Sequence, residues 1–122
     1  MITAIELKYI KDTIIRDPGC KVYIAISEPP RFLKFHNIQI AGVLAPQNKL
    51  LRDFKQELIN KDEFRRKYIH YLKNNPITTE LIKFIITESK EKDIYLVCKS
   101  HSQCQRLVLM DIFDNISMGL RA

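Results

Sequence analysis

Residues 93–114 read Asp-Ile-Tyr-Leu-Val-Cys-Lys-Ser-His-Ser-Gln-Cys-Gln-Arg-Leu-Val-Leu-Met-Asp-Ile-Phe-Asp. Residues 94–98 form an unbroken apolar, β-prone run, the pattern of a strand covered on both faces. The run breaks at Lys99-Ser100-His101-Ser102, and a helical period follows. Ser102 with Gln105 three places on spells a capping box, which predicts a helix from about Gln103. The unit is strand, tight loop, helix. In open α/β sheets that junction faces the ligand crevice, because strand carboxyl ends and helix amino ends meet there.

Arg106 stands in the first turn of this helix, where the helix dipole disfavours a cation. It therefore calls for an anionic partner, either a bound phosphate or carboxylate or an acidic side chain elsewhere in the fold. Lys99, Ser100, His101 and Ser102 add donors at the same place, so Cys98, Ser100, Ser102, Cys104 and Arg106 are the candidate ligand-binding residues, with a small anion as the expected partner. The two thiols also raise the prospect of depressed pKa values and a cysteine-dependent reaction. No base is paired with either in the sequence, and the plainer expectation is that Cys98 is a small buried hydrophobe. The spacing is neither Cys-x-x-Cys nor Cys-x5-Arg, and a disulfide between Cys98 and Cys104 stays open.

The chain of 122 residues has the length of one domain. At 46% hydrophobic and 28% charged it has an ordinary globular composition. It contains no apolar run of membrane-span length and no basic-then-apolar leader, so a cytoplasmic location without membrane association is expected. Three cysteines are too few for a disulfide scaffold. No Gly-rich phosphate loop, His-Glu-x-x-His or Ser-His-Asp pattern appears, and the three histidines are dispersed, so no catalytic residue, metal or cofactor is assigned. A homodimer is compatible with the sequence, although no heptad seam supports one.

The net charge of +6 suits acidic partners, nucleic acid first among them. Over residues 49–73, Lys and Arg outnumber Asp and Glu eight to four. Arg65, Arg66, Lys67, His70 and Lys73 form the outer arc of a helix there, the alternative candidate site. A solvated helix face explains the same residues.

In chain order, residues 2–10 alternate enough to predict a strand. Asp17-Pro18-Gly19 is a turn, and residues 21–27 a strand with Val22, Ile24 and Ile26 on one face and Tyr23 and Ala25 on the other. Pro29-Pro30 ends it, and residues 31–37, with Phe32, Leu33 and Phe35, form an irregular or briefly helical connection whose aromatics plug the core. Residues 38–44 predict a short strand. Leu50, Leu51, Phe54 and Leu58 describe a helix over residues 49–59 that Asn48 could cap. Asn60 with Glu63 opens the next helix, which turns Phe64, Tyr68, Tyr71 and Leu72 inward and ends at Asn74-Asn75-Pro76. Thr78 or Thr79 caps a further helix with Leu81, Ile82, Ile85 and Ile86 on its apolar face. The last helix buries Val108, Leu109, Ile112, Phe113 and Ile116, and Gly119 ends its pattern. The fold class is α/β, one compact domain over residues 1–122, a small mixed or parallel sheet flanked by helices.

Ile24-Ala25-Ile26-Ser27 followed by Pro29-Pro30, then Leu44-Ala45-Pro46 leading to Leu50-Leu51, Glu63-Phe64 with Tyr68 and Leu72, and Leu96-Val97-Cys98 before Cys104-Gln105-Arg106 keep a familiar order. Over residues 22–113 the chain resembles the domain-of-unknown-function family four-eight-eight. The resemblance implies an α/β fold with a Rossmann-like core and no established activity. Members of that family typically open the last helix with Cys-His-Arg; here Cys98, Cys104 and Arg106 match and Gln105 stands where the histidine would be. Glu28 and Gln47 replace an arginine and a serine common in the family. The loss of the histidine argues for binding or structure over chemistry.

Overall fold

The strand Ile94–Cys98 (β4) lies inside a four-stranded sheet, as its continuous apolar run requires. The computed structural model describes residues 1–26, 37–98 and 103–121. Ile2–Glu6 (β1) pairs with β4 along its whole length, Ile2 opposite Ile94 and Glu6 opposite Cys98. Lys21–Ile24 (β2) flanks the other side, and Ile38–Ile40 (β3) is the edge beyond it. The order is β1-β4-β2-β3 and every pairing is parallel, which resolves the mixed-or-parallel choice.

Side chains alternate across this sheet and feed two cores. Ile94, Leu96, Cys98, Tyr23 and Ala25 face one side; Val97, Val22, Ile24 and Ile26 face the other. The first side is covered by Lys61–Asn74 (α3), Pro76–Glu88 (α4) and Gln103–Arg121 (α5), which bury Phe64, Tyr68, Leu72, Ile82, Ile85, Leu109 and Phe113. The second side receives Ile10 and Ile14 of the short helix Ile10–Arg16 (α1).

Several boundaries depart from the sequence pattern, each for a local reason. The strand expected over residues 2–10 stops at Glu6, because a 3₁₀ turn over Leu7–Tyr9 carries the chain off the sheet and into α1, whose Ile10 packs under the second face. The strand expected over residues 38–44 ends at Ile40, and Gly42–Leu44 is a 3₁₀ turn. The helix expected over residues 49–59 is Asn48–Lys55 (α2), with Gln47 rather than Asn48 at the N-cap position. It stops because Glu57 takes φ 60°, the Glu57 N–H bonds to the Phe54 carbonyl and the Leu58 N–H to that of Asp53. This left-handed reversal throws Leu58 outward, 68% exposed, instead of continuing the apolar stripe.

Asn60 caps α3 as expected, its Oδ1 accepting from the Glu63 N–H at 2.8 Å, but the Glu63 carboxylate turns to Lys67 at 3.1 Å instead of closing the box. Asn75, not Thr78 or Thr79, caps α4, accepting from the Ile77 N–H at 3.1 Å. Pro76 explains the shift: it occupies the first helical position with φ already set and no N–H to satisfy. Thr78 is buried within that helix. Gly119 does not end α5, which runs on to Arg121. The strand expected over residues 21–27 ends at Ile24, short of Ala25 and Ile26, and Ser27 with the connection carrying Phe32, Leu33 and Phe35 lies outside the described residues.

Candidate functional site

β1 leaves the sheet toward α1 on one face, while β4 leaves toward α5 on the opposite face. Adjacent parallel strands whose connections diverge in this way open a crevice beyond their carboxyl ends. Glu6 and Cys98 are the last residues of these two strands and are register partners. Arg106, from the opening turns of α5, reaches across the gap, with Nη1 3.5 Å from Glu6 Oε1. The Arg106 and Glu6 side chains are 27% and 26% exposed, so the pair sits at the mouth. Glu6 Oε2 also lies 3.5 Å from Lys8 Nζ. The anionic partner that Arg106 demanded is thus, in this structure, a carboxylate of the chain itself.

Cys98 forms the floor. Its thiol is fully buried, and desolvation pushes its pKa up to about 12 despite the opposing pull of the Arg106 guanidinium. The depressed thiol conceived from the sequence is therefore corrected at this position: burial outweighs the neighbouring cation, and Cys98 is a neutral hydrophobe at ordinary pH.

Two further polar groups close the floor. Gln105 is buried and its Nε2 donates to the Ala25 carbonyl at 2.9 Å, tying α5 to the end of β2. The Nε2 end of this amide is therefore spent inside the fold, and the capping box read from Ser102 with Gln105 lies outside the described residues. The Tyr68 hydroxyl donates to the Leu44 carbonyl and has the Gln105 amide and Cys98 as neighbours. Burial first, and then Cys98, raises its pKa well above the usual phenol value.

The structure therefore brings Cys98 and Arg106 together. Ser100 and Ser102 lie outside the described residues, and the Cys104 side chain does too, although its backbone is in α5. Glu6, Tyr68 and Gln105 join the cluster without having been assigned to it from sequence. Gln105 carried a signal, since it fills the family's histidine position; Glu6 carried none until the β1–β4 register was known.

The basic arc is divided. Arg65 Nη2 bonds Asp111 Oδ2 at 2.5 Å and Lys67 is paired with Glu63. Arg66, Lys67 and His70 line a groove between α2 and α3, and Lys73 stays exposed near the end of α3. Among the described residues no group of three or more His, Cys, Asp or Glu could hold a metal ion, and no helix is long and apolar enough to cross a membrane.

A family model described as the Active DUF488-N3 subclade matches residues 6–117. The chain belongs to the DUF488 family. The match runs from Glu6 at the mouth of the crevice through both candidate surfaces of this DUF488 domain. No curated protein and no solved structure matches the chain.

Proposed function

We propose that this DUF488 domain is a binding domain that holds a small anion, a phosphate or carboxylate group, at the carboxyl edge of its sheet. The observation that carries this reading is the Arg106–Glu6 pair: a partly exposed guanidinium at the opening of α5, faced by a carboxylate 3.5 Å away that Lys8 also contacts. A ligand anion would take the place of Glu6 on Arg106, adding the bidentate geometry that favours guanidinium binding, while Lys8 keeps the displaced carboxylate neutralised. In sequence, Ser100 and Ser102 fall between β4 and α5, and Cys104 follows in α5. The neutral thiol of Cys98 suits a floor better than a nucleophile.

Titration of the chain with phosphate and sulfate, followed by amide chemical shifts, tests the reading. Arg106→Ala should abolish binding with the fold intact, and Glu6→Gln should tighten it by removing the competing carboxylate. Undiminished binding in Arg106→Ala, or weaker binding in Glu6→Gln, refutes it.

The word active in the matched description supports a second reading, an enzyme, for which the sequence offers a cysteine as nucleophile. The raised pKa of Cys98 leaves Cys104 as the thiol to test. Alkylation of Cys104 no faster than an ordinary exposed thiol would dismiss it. A nucleic-acid interface on the basic arc has less support, because Arg65 and Lys67 already face carboxylates.

A further inference from the structure

An open groove of about 750 Å³ runs between the opening turn of α2 and the carboxyl-terminal half of α3. This is a small-molecule volume, within the roughly 300–1,000 Å³ such sites occupy. Its lining is mainly apolar, with Leu50, Tyr71 and Pro76 contributing. Four basic side chains, Lys49, Arg66, Lys67 and His70, stand around it against one carboxylate, Asp53. Lys67 is engaged by Glu63, but among the described residues neither Lys49 nor Arg66 has an ion-pair partner. The charge is therefore uncompensated where it borders the groove. The first turn of α2 adds to it, since that turn contains no acid and Gln47 supplies no side-chain cap.

The rings in this groove are held. The Tyr71 hydroxyl donates to the Val43 carbonyl at 2.9 Å, and the His70 Nδ1 lies 3.1 Å from the Asn74 amide nitrogen. Three side-chain amides, Gln47, Asn74 and Asn75, also line the site. The Asn74 nitrogen is spent on His70 and the Asn75 oxygen on Ile77, and among the described residues the opposite atom of each amide is left to a ligand. A fixed aromatic surface, amides that can both donate and accept, and unpaired cations fit one ligand chemistry: a planar heterocycle with polar edges joined to a phosphate.

We infer that this groove binds a nucleoside monophosphate, with the base against Tyr71 and Leu50, its edge toward the amides, and the phosphate between Lys49 and Arg66. The site is separate from the crevice at the sheet edge and does not depend on the reading given there.

The test is an amide-shift titration of the full chain at low salt with AMP, GMP, CMP and UMP, beside adenosine and inorganic phosphate alone. At least one monophosphate should saturate shifts over residues 47–53 and 66–76 and bind about tenfold or more tightly than either fragment. Lys49→Glu and Arg66→Glu, each with a folded spectrum, should weaken that binding about tenfold, as loss of a charge-assisted contact requires. Arg106→Ala should leave it unchanged. The inference is overturned if no monophosphate shifts these residues below about 5 mM, if phosphate alone binds the groove equally well, or if the shifts map only to Glu6, Cys98 and Arg106. Unchanged affinity in both charge reversals overturns it as well.

Discussion

Gln105 holds the floor of the crevice together, and replacing it with Leu isolates one interaction. The side chain is 2% exposed and its Nε2 is 2.9 Å from the Ala25 carbonyl. Leucine has nearly the same volume, so the cavity contribution is small and the loss is the donor. A buried carbonyl left without its donor costs about 1–3 kcal/mol. The Tyr68 hydroxyl loses the same neighbour, which places Gln105→Leu near about 2 kcal/mol. In urea, with m near 2 kcal/mol per molar for a domain of this size, the midpoint should fall by about 1 M. Gln105→His, which puts the family's usual residue in place, keeps a ring N–H for the Ala25 carbonyl and should cost less than about 1 kcal/mol. Urea unfolding monitored by circular dichroism compares the three chains directly. A Gln105→Leu midpoint within about 0.2 M of the parent would refute the reasoning, since it would mean that water reaches the Ala25 carbonyl unaided.

Cys98 makes the domain sensitive to alkali. Its folded pKa of about 12 lies above the ordinary 9.0, so between those values the unfolded chain releases a proton that the folded chain keeps. Its contribution is intact below about pH 9 and is lost as pH rises, at up to about 1.4 kcal/mol per pH unit; Cys98→Ala should flatten the decline in urea midpoint just above that pH, and an unchanged slope counts against it. Glu57→Gly should stabilise the chain by up to about 1 kcal/mol, because glycine adopts φ 60° without the side-chain penalty, and a lower melting temperature would contradict this. Arg65 and Asp111 are about half exposed, so a double-mutant cycle on them should return no more than about 1 kcal/mol despite the 2.5 Å contact; a coupling above about 2 kcal/mol would show that solvent screens the pair far less than expected.

The parts of the fold legible in the sequence are those fixed by composition over a short range. The Ile94–Cys98 run fits a doubly covered strand better than an edge strand, and the Asn60-to-Glu63 spacing resembles the opening of a helix. The misread boundaries depend on partners distant in sequence or on a single dihedral angle. β1 ends at Glu6 because the 3₁₀ turn that follows carries Ile10 under the sheet to Val22, Ile24 and Val97, and α2 ends early because Glu57 reverses the chain, which no pattern of apolar residues announces. The candidate site divides in the same way. That Arg106 needs an anion followed from the helix dipole alone; that Glu6 is the side chain facing it followed only from strand pairing.

That pairing makes the crevice a single-register object. Side chains alternate across a strand, so sliding β1 by one residue against β4 would bring Leu7 opposite Cys98 and turn Glu6 away from α5. Ile5 and Ile2, which now pack into opposite cores, would exchange faces as well, so the hydrophobic pattern that stabilises the sheet also fixes Glu6 beneath Arg106. The ion pair is thus a consequence of core packing and needs no binding energy of its own to persist. An anion that displaces Glu6 has only a partly exposed contact at 3.5 Å to overcome, while the sheet, the buried thiol and the Gln105 tie stay in place. Binding at this edge should therefore proceed without a change of fold, through exchange of one carboxylate for another anion on a guanidinium the core already holds in position.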